Sequence, residues 1–151
     1  MPDEVRVPIR EDADLILARA QGRALASGQG FSRTDATLIA TAISELARNI
    51  VVHAGEGEIV LRPVDDGWRV GLQVVARDEG PGIRDVEGLA RRGFTAGHGL
   101  GLGLPGARRL MDDFEVVSAP GEGTTVTMVK WRVPDQLGDL RKRRDRDGRR
   151  P

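Results

Sequence analysis

Hydrophobic residues recur along this chain in two periods, and the points where one period gives way to the other divide it into elements. Val5, Val7 and Ile9 alternate with Arg6 and Pro8, the period-two pattern of a short strand. Pro8 has no N–H to give to a ladder, which predicts an edge position. From Asp12, read as a helix cap, the period lengthens: Leu15, Ile16, Ala20 and Leu25 recur at helical spacing until Gly28 and Gly30 make a turn. Ser32 and Asp35 form an S-x-x-D start signal. Behind it Ile39, Ile43, Leu46 and Ile50 make an i, i+4, i+7, i+11 stripe, which predicts a second helix.

The period then returns to two. Ile59 to Pro63 and Trp68 to Ala76 read as strands separated by the turn residues Asp65, Asp66 and Gly67, an antiparallel hairpin. After a Gly- and Pro-rich region, Pro105 to Asp112 reads as a helix. FEVVSA and TTVTMVKWRV follow as paired strands around a turn at Pro120 to Gly123. Hairpins with helices between them predict an α+β fold: a two-layer sandwich with a mixed, mostly antiparallel sheet covered by helices on one face.

Composition narrows the reading. With 151 residues and 39% hydrophobic content the chain supports one core. The absence of cysteine excludes disulfides and thiolate metal sites and fits a reducing compartment. The N-terminus lacks a long apolar run and no stretch of 18 apolar residues occurs, so neither a secretory signal nor a membrane span is expected, and the location predicted is cytoplasmic. The formal net charge is zero but uneven: from Asp139 onward seven Arg/Lys face three Asp, which leaves 16 basic and 20 acidic residues in the rest. No aromatic residue interleaves with those bases, so nucleic-acid binding is not expected. Residues 135–151 read as a charged, disordered tail behind a domain spanning 1–134.

Four patterns carry chemistry. Glu45 and Asn49 are four apart on the second helix and share one face. By helical geometry they lie roughly 240° and 280° around from Ile39, on a flank shared with Leu38 and Ala42, where a carboxylate and an amide overlook a partly apolar pocket. Directly after a strand comes Asp78-Glu79-Gly80-Pro81-Gly82-Ile83. It is a carboxylate at a strand end, able to accept from an exocyclic amine, followed by glycines that let backbone approach a ligand. Gly97-His98-Gly99-Leu100-Gly101-Leu102-Gly103-Leu104 runs into a helix, exposing backbone N–H groups near the positive end of the helix dipole. It lacks the G-K-[ST] ending of a Walker loop, and no strand immediately precedes it as a Rossmann turn requires. Finally, Gly121-Glu122-Gly123-Thr124-Thr125 delivers a hydroxyl at the start of the last strand. Each alone has a plain alternative: a solvated polar helix face, an ordinary turn, a flexible loop, a hairpin.

In this order and spacing the four resemble the nucleotide-binding boxes of the GHKL superfamily of gyrases, Hsp90, histidine kinases and MutL proteins. ATAISELARNIVVHAG, DEGPGI, GLGLGLPGARRLMDDFEV and GEGTTVTMVKW further resemble the serine/threonine switch kinases and anti-sigma factors of bacterial stress signalling, over roughly Val5 to Val133. The resemblance implies the Bergerat ATP-binding fold, with ATP and Mg2+ as cofactors. It makes Glu45 the base that activates the attacking hydroxyl and Asn49 the protein ligand to Mg2+. Asp78 would read the adenine amine with Thr125 assisting, Gly80, Gly82 and Ile83 would line the base pocket, and Gly97, Gly99, Leu100, Gly101, Leu102, Gly103 and Leu104 would close over the phosphates.

The activity implied is phosphorylation of Ser/Thr on STAS-domain antagonist or scaffold partners in a stressosome pathway, with release to activate a PP2C-type phosphatase. The alternative is a binding switch that holds a sigma factor or phosphatase while ATP sets its conformation; homodimerisation is compatible with either. A histidine-kinase catalytic half is disfavoured by the short chain before Ser32, and a gyrase- or MutL-type ATPase by the absence of a transducer domain after the last strand. His98 departs from the family's small lid residue and is read as solvent-facing, His53 as a helix C-terminal residue favoured by the dipole, and Arg48 as a surface or partner contact.

Overall fold

The computed structural model describes residues 4–81 and 103–132. Five strands form one sheet in the order β1-β2-β3-β5-β4: β1 Val5–Ile9, β2 Gly57–Asp65, β3 Val70–Asp78, β4 Asp113–Ser118 and β5 Thr124–Trp131. Every pairing is antiparallel. No parallel pair occurs among the described residues: β2-β3 and β4-β5 are hairpins, and the neighbours β1-β2 and β3-β5, which are not joined directly, also run oppositely. β1 lies at an edge with Pro8 opposite Glu58, where proline's missing donor costs little.

Among the described residues three helices, α1 Asp12–Gly28, α2 Arg33–His53 and α3 Gly103–Leu110, supply the other half of the core. Strand residues of one parity, Val7, Ile9, Ile59, Leu61, Leu72, Val74, Ala76, Val126 and Met128, point to that layer and are buried. The stripe Ile39, Ile43, Leu46 and Ile50 meets them from α2, each no more than 2% exposed. Burying a side chain of this size stabilises by about 1.5–3 kcal/mol, so the four bind α2 firmly to the sheet. Gly22 lets α1 pack against Ile43, since a Cβ there would collide with that side chain.

Ser32 caps α2, its Oγ accepting from Asp35 N at 3.0 Å. In α1 the cap is Glu11 rather than Asp12: the Asp14 carboxylate accepts from Arg10 N (2.8 Å) and Glu11 N (3.2 Å), which sets the boundary one residue earlier. α3 also begins two residues before Pro105. Proline fits inside the first turn, where its missing N–H has no partner to lose. Trp68 lies in the β2-β3 turn rather than in a strand, because Asp66 Oδ1 accepts from both Trp68 N and Arg69 N and closes the turn around Gly67. Among the described residues no helix is long and apolar enough to cross a membrane. The predicted tail lies outside the described residues.

Candidate nucleotide site

α2 contributes the acidic and amide pair. Glu45 is the one buried charged side chain among the described residues, 4% exposed, on the helix flank next to the isoleucine stripe. Carrying a carboxylate into an interior costs several kcal/mol unless partners compensate, so a glutamate is seldom placed there by chance. One turn on, Asn49 holds its amide Nδ2 buried with no hydrogen-bond partner. A buried polar atom left unsatisfied costs about 1–3 kcal/mol, and a half-turn about χ2 would present the amide oxygen instead.

β3 ends on Asp78. Its Oδ1 accepts from Gly80 N at 2.9 Å, fixing the carboxylate within its own turn. Gly80 is required there by space: a Cβ would stand 2.6 Å from Ala54 Cβ and 2.9 Å from Ala54 Cα, so the turn is seated on the C-terminal end of α2. Gly57 closes the same junction, since its Cβ would lie 2.9 Å from Ile50 Cγ2 and 3.1 Å from Asp78 Cβ. Asp78 and the Asn49-Ile50 turn of α2 are thereby neighbours. The sequence reading missed Gly57, whose signal was a glycine opening a strand otherwise rich in β-branched residues.

The β4-β5 turn locks onto the other side. Gly123, at φ +78°, packs against the Asp78 carbonyl and would bring a Cβ within 2.9 Å of Glu79 Cα, while Gly121 N donates to Pro81 O at 2.7 Å. The ladder corrects one assignment. Asp78 is opposite Thr124, and Thr125 is opposite Arg77. Because strand side chains alternate faces, Thr124 shares the helix-facing side with Asp78, and Thr125 lies on the far side with Arg77. The hydroxyl beside the carboxylate is therefore that of Thr124. Ser118 Oγ donates to Gly123 O (3.0 Å), so Thr124 is the donor in its 2.8 Å contact with Ser118, and its oxygen keeps lone pairs for a ligand.

Gly103 opens α3, and the N–H groups of that first turn have no partner within the helix. Leu104 is 1% exposed and belongs to the core with Ala107 and Met111, so its side chain anchors the helix against α2. Gly82, Ile83, Gly97, His98, Gly99, Leu100, Gly101 and Leu102 lie outside the described residues. The structure thus interlocks three of the four sequence patterns, the α2 pair, the Asp78 turn and the Gly121–Thr124 turn, and places the end of the fourth at the head of α3.

A helix-covered antiparallel sheet, with a helix carrying a buried glutamate seated on an Asp-Glu-Gly turn, has the build of an ATP-binding domain of the GHKL class. The chain belongs to the family described as the histidine kinase-like ATPase domain, which it matches over residues 10–130. ATP is therefore its nucleotide, and its relatives are regulators that work on other proteins. It is 46% identical over 131 residues to the serine/threonine-protein kinase RsbT of Bacillus subtilis (strain 168), covering 87% of this chain and 98% of that protein. It is 35% identical over 99 residues to an anti-sigma F factor of Thermoanaerobacter sp. (strain X514), covering 62% of this chain and 68% of that one. In fold it resembles the RsbU and RsbW domains of Rv1364c from Mycobacterium tuberculosis, with TM-score 0.59 and 22% identity over 89% of this chain, which spans 33% of that longer one.

Proposed function

We propose that the protein is an ATP-dependent serine/threonine kinase that phosphorylates STAS-domain partners in a stress-response switch in the cytoplasm, and is released by that reaction to activate a PP2C-type phosphatase. The observation that carries this reading is the buried Glu45 one turn before Asn49, on the helix whose C-terminal end seats the Asp78 turn, in a chain 46% identical to a serine/threonine-protein kinase along nearly all of that kinase's length.

Each residue has a task its position supports. Asp78 accepts from the adenine amine while Gly80 N holds its other oxygen, and Thr124 adds a second acceptor at the same edge. Asn49 has a buried amide in want of a partner, which fits a Mg2+ ligand. No group of three or more His, Cys, Asp or Glu side chains suited to a metal occurs among the described residues, so the ion would take its remaining oxygens from phosphate and water, as this octahedral cation usually does. Bound there, Mg2+ supplies charge neutralisation at the phosphates. Glu45 orients the acceptor hydroxyl and takes its proton as the hydroxyl oxygen bonds to the γ-phosphorus and the bond to the ADP oxygen breaks. The N–H groups of the first turn of α3, which have no partner within the helix, meet phosphate oxygens.

Purified protein, labelled ATP, Mg2+ and a STAS-domain protein test the proposal. Label is expected on a partner Ser or Thr, lost with Glu45→Ala while ATP still binds. Label transfer by Glu45→Ala at the wild-type rate would remove that residue from its role. The similarity to anti-sigma F factors favours one second reading, a switch that captures a sigma factor and uses ATP mainly to set its conformation. Tight complexes without label would favour it.

A further inference from the structure

The last rung of the sheet runs Ile9, Gly57, Asp78, Thr124 and Ser118 across all five strands, on the side that faces the helices. The rung before it, Val7, Ile59, Ala76, Val126 and Val116, is apolar throughout, so the change to polar side chains falls at the nucleotide site. Asp78 and Thr124 have tasks there. Ser118 stands one strand further out, on β4, and has none. Its contacts form a chain with a single direction. The Ser118 hydroxyl has one proton, which goes to Gly123 O at 3.0 Å, a carbonyl that can only accept. Toward Thr124 Oγ1, 2.8 Å away, Ser118 is therefore the acceptor, and the Thr124 proton is drawn along the rung toward β4 and away from Asp78.

We propose that Ser118 is a positioning residue: by taking the Thr124 proton it sets the hydrogen-bonding sense of the base site, which then selects a purine with an amino group at C6 over one with a carbonyl there. This rests on the assignment of Asp78 and Thr124 to the base in the reading above. Ionised Asp78 can only accept, and one of its oxygens already accepts from Gly80 N. With its proton committed to Ser118, Thr124 also turns only lone pairs to a ligand, so the edge is acceptor beside acceptor. An exocyclic amine brings two N–H groups and satisfies both. A 6-oxo group sets lone pairs against lone pairs, and a site built to hydrogen-bond one group rejects an analogue that leaves its polar atoms unpaired. Donation to Ser118 also polarises the Thr124 oxygen and strengthens it as an acceptor. Without the Ser118 hydroxyl, Thr124 is free to turn its proton toward the carbonyl oxygen of a 6-oxo base. Ser118 thus acts through Thr124 rather than by touching the base.

The test is calorimetric titration of the full chain with ADP and with IDP, its 6-oxo counterpart, in magnesium buffer. Wild type is expected to bind ADP about a hundredfold or more tighter than IDP. Ser118→Ala should narrow that ratio about fivefold, roughly what one regained neutral hydrogen bond to IDP is worth. Ser118→Thr, which keeps the hydroxyl, should restore the wild-type ratio. In a Thr124→Val background Ser118→Ala should leave the ratio unchanged, because the residue through which it acts is gone. A serine that merely closed the β4-β5 turn would weaken both nucleotides alike, so an unchanged ratio in Ser118→Ala overturns the proposal. So does the same narrowing in the Thr124→Val background. Where Ser118→Ala does not fold, Ser118→Cys replaces the hydroxyl by a weak donor and acceptor of similar size, with the same narrowing expected and the same result refuting it. Asp78→Asn separates this proposal from the reading beneath it. If Asp78→Asn changes neither ADP affinity nor the ratio, the base site itself is misassigned; if it narrows the ratio and Ser118→Ala does not, only the role of Ser118 falls.

Discussion

Gly121 and Gly123 occupy the same turn with nearly the same backbone, φ +80° and +78°, and differ in what stands beside them. A Cβ at Gly121 meets nothing within 4 Å, whereas one at Gly123 collides with the Asp78 carbonyl and lies 2.9 Å from Glu79 Cα. Replacing either by alanine places an L-residue in the left-handed region at about 1–2 kcal/mol. About 0.4–1 kcal/mol of that is offset by reduced freedom of the unfolded chain. Gly121→Ala should therefore lose about 1 kcal/mol of stability. Gly123→Ala adds overpacking against backbone that cannot rotate away, about 1–3 kcal/mol more.

The functional difference should be larger still. Relief of the clash moves the Asp78–Glu79 peptide, and with it the carboxylate assigned to adenine. Hydrogen bonds to charged groups contribute about 1.5–3 kcal/mol, which corresponds to a tenfold or greater weakening of nucleotide binding if that contact is spoiled. Urea unfolding and calorimetric titration with ADP in magnesium buffer measure both effects. Gly121→Ala is expected to bind within about threefold of wild type, a change of about 0.6 kcal/mol. Equal losses of stability and affinity in the two variants would refute the claim that Gly123 joins the last hairpin to the Asp78 turn.

Further outcomes follow from the same geometry. Asn49→Ala should weaken Mg-ATP more than ATP in chelator, since the amide is assigned to the cation; equal weakening in both would place it elsewhere. Thr124→Val should reduce ADP affinity and Thr125→Val should not, because only the former shares a face with Asp78; the same titration decides it. Leu46→Ala, at a site 1% exposed, should destabilise by about 2–5 kcal/mol without altering nucleotide affinity in the folded protein, as denaturant melts combined with titration can measure. Hydrogen bonding from Arg62 holds the Glu4 carboxyl below its usual value of 4.5. A lowered folded pKa adds stability above the unfolded value and loses it as acid protonates the folded carboxyl. The stability difference between wild type and Glu4→Gln should therefore be present at neutral pH and fade below about pH 4.5; a difference that grew in acid would contradict the pairing.

Much of the protein was determined by short-range information. The i, i+4, i+7, i+11 stripe from Ile39 specified α2 and its buried side, Pro8 marked an edge strand, and Asp65-Asp66-Gly67 marked the hairpin, because each is set by periodicity or by local backbone chemistry. The spacing Glu45 to Asn49 and the order of the Gly-rich motifs also stood in the sequence, and with them the nucleotide class. What the tertiary structure alone decided depends on contacts between residues far apart in the chain. The pairing register of β3 with β5 put Thr124 rather than Thr125 beside Asp78, since one residue of slip exchanges the faces of a strand. Packing made the Leu104 side chain a core anchor, and close approach explained Gly57, Gly80 and Gly123, whose missing side chains are needed only because another segment fills that space.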